Sequence, residues 1–192
     1  MRDFEYIKMQ KLHCRKSIRL KNYDYSSNGY YFVTICVQNR EKLFGEIVGA
    51  TLCGRPNNPD KIITKWLLEL ENKFNDIKID EYIIMPNHIH FIIKRTGDHI
   101  GSTGDHIGSP LRDIIGWFKT MTTNEYIAGV KCGKFIPFKG RLWQRNYYEH
   151  IIRNYDDYTN IAEYIQNNPL KWEYDKLFVS EGKYGSKKKE RG

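Results

Sequence analysis

The chain has 192 residues, 40% of them hydrophobic and 28% charged, which is enough for one domain with a real core. No apolar run reaches the roughly 20 residues needed to cross a bilayer, and four cysteines (Cys14, Cys36, Cys53, Cys132) without a CxxC pair argue against a thiolate zinc site or a disulfide framework. The net charge of +8 sits at the ends: residues 1–23 carry seven Lys/Arg against two acids, and residues 170–192 carry seven against four.

In chain order, MRDFEYIKMQKLHCRKSIRL opens as a basic arm (residues 1–23) without a signal-peptide core, so a cytoplasmic, nucleoid-associated protein is expected. Its Arg15, Lys16 and Arg19 suit contacts to a phosphate backbone, where each cation releases condensed counterion. Gly29 then introduces YYFVTICVQNR, a β-branched and aromatic first strand. Residues 41–60 hold a short strand fragment and a Pro/Asn turn cluster. KIITKWLLELENKFN follows with Ile62, Trp66, Leu67, Leu70 and Phe74 at helical spacing, and Asp60 is the expected N-cap. IDEYIIM is the next strand. Pro86-Asn87 bends it, since proline cannot donate to a ladder; a bulged strand and a tight hairpin both remain open.

HIHFII, residues 88–93, is a strand in either case. Side chains at i and i+2 leave one face, so His88 and His90 point together and Ile89, Phe91 and Ile93 point the other way. Two neutral imidazoles so placed could hold one metal ion; two buried histidines satisfied by hydrogen bonds is the plainer alternative. TGDHIGS then occurs twice without change, at 96–102 and 103–109, and reads as a loop closed by Pro110.

SPLRDIIGWFKTMTTNEYI is a second helix with Ser109 as cap and Leu111, Ile114, Ile115, Phe118 and Met121 facing inward. GKFIPFKG is a loop or short strand. RLWQRNYYEHIIRN reads as a strand running to a turn. YDDYTNIAEYIQNNP is the last helix, with Asp156 and Asp157 in its first turn and Pro169 at its end. On it Tyr164 and Asn168, four apart, share a face beside the core stripe Ile161, Ala162 and Ile165. A tyrosine near a metal or base is a usable nucleophile, and an amide oxygen is an acceptable ligand for Mg²⁺ or Mn²⁺. Spacing alone leaves open that Tyr164 packs and Asn168 caps the helix.

The succession MPNHIHFII, DIIGWFKTMTT, LWQRNYYEHIIRN and YIQNNP resembles the single-tyrosine HUH transposases, most closely their REP-associated branch, from about Tyr30 to Trp172. The resemblance implies an α+β fold of ferredoxin-like type, an antiparallel sheet with helices packed on it, over residues 24–172, followed by a basic tail (173–192). It implies that His88, His90 and Asn168 hold Mg²⁺ or Mn²⁺ and that Tyr164 is the nucleophile. Insertion-sequence relatives carry glutamine where this chain has Asn168. Tyr147 and Tyr148 are rival nucleophiles without a carboxamide four residues on. Trp143, Gln144, Arg145 and His150 shape the site or contact DNA; aromatics beside arginines suit unpaired bases, although core packing accounts for Trp143 equally well.

The activity implied is a transposase that cleaves single-stranded DNA at hairpin-flanked sites through a 5′-phosphotyrosine and rejoins it. A nucleotide-binding GxxxxGK loop is absent, and the covalent link makes a nucleotide cofactor unnecessary. Alternatives are a metal phosphohydrolase that uses water and a non-catalytic hairpin-binding descendant. The partner implied is single-stranded DNA with palindromic hairpins, with no membrane involved. Monomer and helix-exchanged homodimer both stay open.

Overall fold

The computed structural model describes residues 27–48, 51–53, 59–96 and 110–179. The N-terminal arm with Arg15, Lys16 and Arg19, the TGDHIGS repeat from 97 onward, Ser109 and the chain after 179 lie outside the described residues.

Alternating apolar side chains build the centre. β1 (Gly29–Cys36) pairs antiparallel with β5 (His88–Arg95), and both strands are buried on both faces over most of their length. β4 (Ile77–Met85) flanks β5 and β6 (Tyr148–Ile152) flanks β1, giving the antiparallel order β4-β5-β1-β6. β2 (Glu46–Val48) and β3 (Thr51–Cys53) form a separate hairpin. The QNR that we read as the end of the first strand is instead a short 3₁₀ turn.

Period two sorts the side chains onto two faces. Tyr31, Val33 and Ile35 of β1 and Ile89, Phe91 and Ile93 of β5 face a core shared with α1 (Pro59–Lys73) and α2 (Leu111–Lys131). Asp60 lies inside the first turn of α1 rather than capping it, and Pro59 already begins the helix. α2 runs one turn beyond its expected end, to Lys131, and Thr122 and Tyr126 extend its buried stripe past Met121.

The opposite face holds a smaller cluster of Phe32, Ile92, Ile152 and Ile165, the last from α3 (Tyr155–Asn167). Asn154 caps α3 by accepting the Asp157 N–H at 2.8 Å. The Tyr158 hydroxyl donates to Asp80 of β4 at 2.8 Å and its ring meets Tyr30 edge-on, which fixes the helix across the sheet. Pro169 starts a 3₁₀ segment that carries the chain to Tyr174.

The choice at Pro86-Asn87 resolves as a tight hairpin: Met85 pairs with His88, and only two residues intervene. A bulge does occur in β4, between Ile79 and Tyr82. The turn is tied to the chain after β1, because Val37 N–H donates to Asn87 O and Phe44 N–H to Pro86 O. The result is an α+β fold with helices on both faces of one antiparallel sheet, as expected.

Candidate active site

His88 and His90 emerge on the α3 face of the sheet, with 0% and 2% of their surfaces exposed. Their Nε2 atoms meet at 2.9 Å. Asn87 decides the tautomer of His88. Its Nδ2 donates to the carbonyls of Arg40 and Leu177, so its Oδ1 must accept from His88 Nδ1–H at 2.8 Å. His88 Nε2 is therefore a bare lone pair aimed at His90. In the metal-free protein His90 Nε2–H supplies the proton of that contact, and the Thr34 hydroxyl, 2.8 Å from His90 Nδ1, donates there. Transfer of the His90 proton from Nε2 to Nδ1, with that hydroxyl rotated to accept from Nδ1–H, would turn both Nε2 lone pairs toward one point.

Both imidazoles are neutral at ordinary pH. Burial pushes His88 well below the usual histidine value, and His90 and Arg40 beside it push the same way. Burial takes His90 down to about 4, against a smaller upward pull from Asp175. Neutral imidazole is the form that binds metals.

α3 carries Tyr164 over this pair. Its hydroxyl lies 3.3 Å from His90 Nε2 and donates to Asp175 Oδ2 at 3.3 Å, and its ring stands edge-on to Phe32 and His90. The side chain is 45% exposed, so a substrate can reach it. Burial of the hydroxyl and the Asp175 carboxylate push its pKa up to about 12. Asn168, one turn on and 3% exposed, donates from Nδ2 to Asp175 at 3.0 Å. Its Oδ1 is buried and has no partner among the described residues.

Sequence reasoning missed Asp175. Its carboxylate and the two imidazoles have ligand atoms within 4.8 Å of one another. The residue stands in what we read as the start of a basic tail. That stretch instead packs on the domain, with Leu177 O bound by Asn87 and Phe178 edge-on to Trp172. The 6 residues of the 3₁₀ segment Pro169–Tyr174 separate Asp175 from Asn168, so the period of α3 does not carry through to mark it. Thr34 and Asn87, which orient the imidazoles, were missed as well; Thr34 is a cross-strand neighbour of His90, which is visible only once register is known.

The donor set fits a divalent cation. Two neutral imidazoles face each other, one carboxylate stands beside them, and an amide oxygen is buried without a donor among the described residues, which costs about 1–3 kcal/mol unless a donor or a cation satisfies it.

A cleft of about 960 Å³ opens over these groups, lined among others by Phe32, Tyr148, Tyr164, Asn168 and Asp175. Gln144 lines it too, with its amide donating to Val37 O at 3.3 Å. Arg145 is exposed. Trp143 is 4% exposed, tilted against Phe44 and Phe118, with Nε1–H donating to Thr122 at 2.8 Å, the packing that the core alternative expects. His150 is paired with Asp157 at 2.9 Å, joining β6 to α3. Both rival tyrosines line the cleft; Tyr147 also packs against the α1/α2 core beneath Lys119, whereas Tyr148 is 53% exposed. Among the described residues no helix is long and apolar enough to cross a membrane.

A Haemophilus influenzae protein of uncharacterised function is 37% identical over 173 residues, covering 88% of this chain and 95% of its own length. A second protein of that organism, named "Putative REP-associated tyrosine transposase", is 24% identical over 81% of this chain and 79% of its own. A solved REP-associated tyrosine transposase bound to a REP hairpin shares the fold, with a TM-score of 0.52 and 20% identity over 82% of this chain and 76% of that one. The family model described as "Transposase IS200 like" matches residues 25–168, which include the histidine pair, the tyrosine helix and Asn168, and the chain therefore belongs to the IS200-like transposase family.

Proposed function

We propose that this chain is a metal-dependent single-strand DNA endonuclease and strand transferase, a transposase that cleaves at hairpin-flanked sites. The observation that carries the reading is the approach of the Tyr164 hydroxyl to within 3.3 Å of His90 Nε2, beside His88. His88 and His90, with oxygen from Asn168 or Asp175, would hold Mg²⁺ or Mn²⁺. When bound, such an ion polarises the scissile phosphate and offsets the charge that grows on it.

The protein's own groups supply the rest. Tyr164 stays a phenol until reaction, because its pKa is pushed up to about 12. Its oxygen attacks phosphorus, and its proton passes to Asp175 Oδ2, the carboxylate it already faces. The bond from phosphorus to the 3′-oxygen breaks, and that oxygen takes a proton from water, to which Asp175 returns the one it received. A 5′-phosphotyrosine and a free 3′-hydroxyl result. Attack by a 3′-hydroxyl on the link reverses the exchange and rejoins strands. One ester replaces another, so no nucleotide is consumed.

A hairpin as partner is supported by the REP hairpin bound to the solved fold relative. Tyr148 and Tyr174 on the cleft offer rings for unpaired bases to stack on.

The test is covalent trapping. A pool of single-stranded hairpin oligonucleotides with random flanks, incubated with Mn²⁺, is expected to give a denaturant-resistant protein–DNA adduct that Tyr164→Phe abolishes. Strand hydrolysis without an adduct would instead make water the nucleophile. Hairpin binding without cleavage would leave a non-catalytic descendant.

A further inference from the structure

Just after β1 the chain takes two consecutive non-glycine residues through the left-handed region, Asn39 at φ 58° and Arg40 at φ 60°. Asparagine tolerates that conformation. Arginine gains nothing from it locally, so the surrounding structure must hold the strain. The hold is Asn87, whose Nδ2 donates to Arg40 O at 3.2 Å. The same side chain fixes the His88 tautomer through its Oδ1. One buried amide thus sets both the strained backbone and an imidazole of the site.

The strain directs the Arg40 side chain, half-buried, into the wall of the cleft that holds His90, Tyr164 and Asp175. Among the described residues no carboxylate or hydroxyl is paired with its guanidinium. Hydrogen bonds run from Tyr164 to His90, from His90 to His88, from His88 to Asn87 and from Asn87 to the Arg40 carbonyl. The phenol and the residue that carries the guanidinium therefore stand at opposite ends of the imidazole pair.

A guanidinium with no carboxylate or hydroxyl partner among the described residues, beside a candidate metal site, opposes metal binding, and a bound anion would offset its charge. Carboxylate pairing would be the expected sign of a purely structural arginine here. A planar fork of donors matches two phosphate oxygens.

We propose that Arg40 binds the phosphodiester undergoing exchange, gripping its non-bridging oxygens from the side of the imidazole pair opposite Tyr164. In-line displacement puts the leaving oxygen away from the nucleophile, so a guanidinium on that side steadies the charge where it develops. This inference rests on the strand-transfer reading of the site.

The experiment uses the full chain loaded with Mn²⁺ and dimethyl phosphate as the phosphodiester probe. Paramagnetic relaxation of the ³¹P signal reports probe bound next to the ion. Wild type is expected to enhance relaxation saturably. Arg40→Gln should weaken probe binding about tenfold while Mn²⁺ affinity is kept or rises. Arg40→Gly should weaken it equally yet melt about 2–4 °C higher, since glycine releases the left-handed strain. A structural arginine would not combine lost binding with gained stability. Wild-type probe affinity in Arg40→Gln, or a lower melting temperature for Arg40→Gly, overturns the proposal. Should His88→Ala leave Mn²⁺ binding unchanged, the metal reading fails and this inference falls with it; that outcome is distinct from a failure at Arg40, which leaves Mn²⁺ binding dependent on His88.

Discussion

His88 and His90 are uncharged because burial removes the water that would hydrate an imidazolium, and for His90 the effect reaches down to about 4. An unfolded histidine titrates near 6.5. As pH falls through that value the unfolded chain takes up a proton that the folded one refuses, so stability is lost from about 6.5 down to about 4. His90 alone accounts for roughly 3 kcal/mol over that window. Denaturant unfolding in metal-free buffer at pH 7 and pH 4 is expected to show a loss to which both imidazoles contribute, and His90→Asn should shrink it; an unchanged slope in the variant would contradict the assignment. The pair itself was legible in the sequence, because i and i+2 on a strand share a face whatever the rest of the fold does. Thr34, Asn87 and Asp175 were not, since their roles arise from strand register, a turn and an irregular segment, none of which leaves a periodic mark.

α3 shows how local signals fix an element and tertiary contacts place it. Asn154 at its N-cap, Asp156 and Asp157 in its first turn and Pro169 beyond its end all agree. Loss of the cap in Asn154→Ala is expected to cost about 1 kcal/mol in urea unfolding. An unchanged midpoint would mean that the helix start is held elsewhere, for instance by the His150–Asp157 pair. Which face of the sheet the helix covers was a separate matter. It depends on Ile165 entering the Phe32–Ile92–Ile152 cluster and on Tyr158 reaching Asp80, contacts between residues far apart in the chain. Helix periodicity gave α1 and most of α2. The inward stripe that we read on it ended at Met121 and left out Thr122, whose hydroxyl is buried by bonding to Phe118 O and receiving the Trp143 N–H. The RLWQRNYYEHIIRN strand shrank for a related reason: Trp143 makes one isolated bridge to Val37, and the ladder resumes only at Tyr148.

At the scale of the molecule, one chain brings together both halves of the site. Tyr164 lies over the imidazoles of its own sheet, and the segment after Trp172 folds back to add Asp175. This bears on the choice between a self-sufficient monomer and a dimer that exchanges its tyrosine helix. If the proposed chemistry runs within one chain, His88→Ala and Tyr164→Phe variants mixed in equal amounts should stay inactive, whereas helix exchange would restore activity. The most direct measurement combines trapping with mapping. The monomer fraction of wild-type protein, reacted with hairpin DNA and Mn²⁺, is digested and its nucleotide-bearing peptide identified by mass spectrometry. The account predicts a single adduct, on Tyr164; an adduct on Tyr148, or one found only in a dimer fraction, would contradict it.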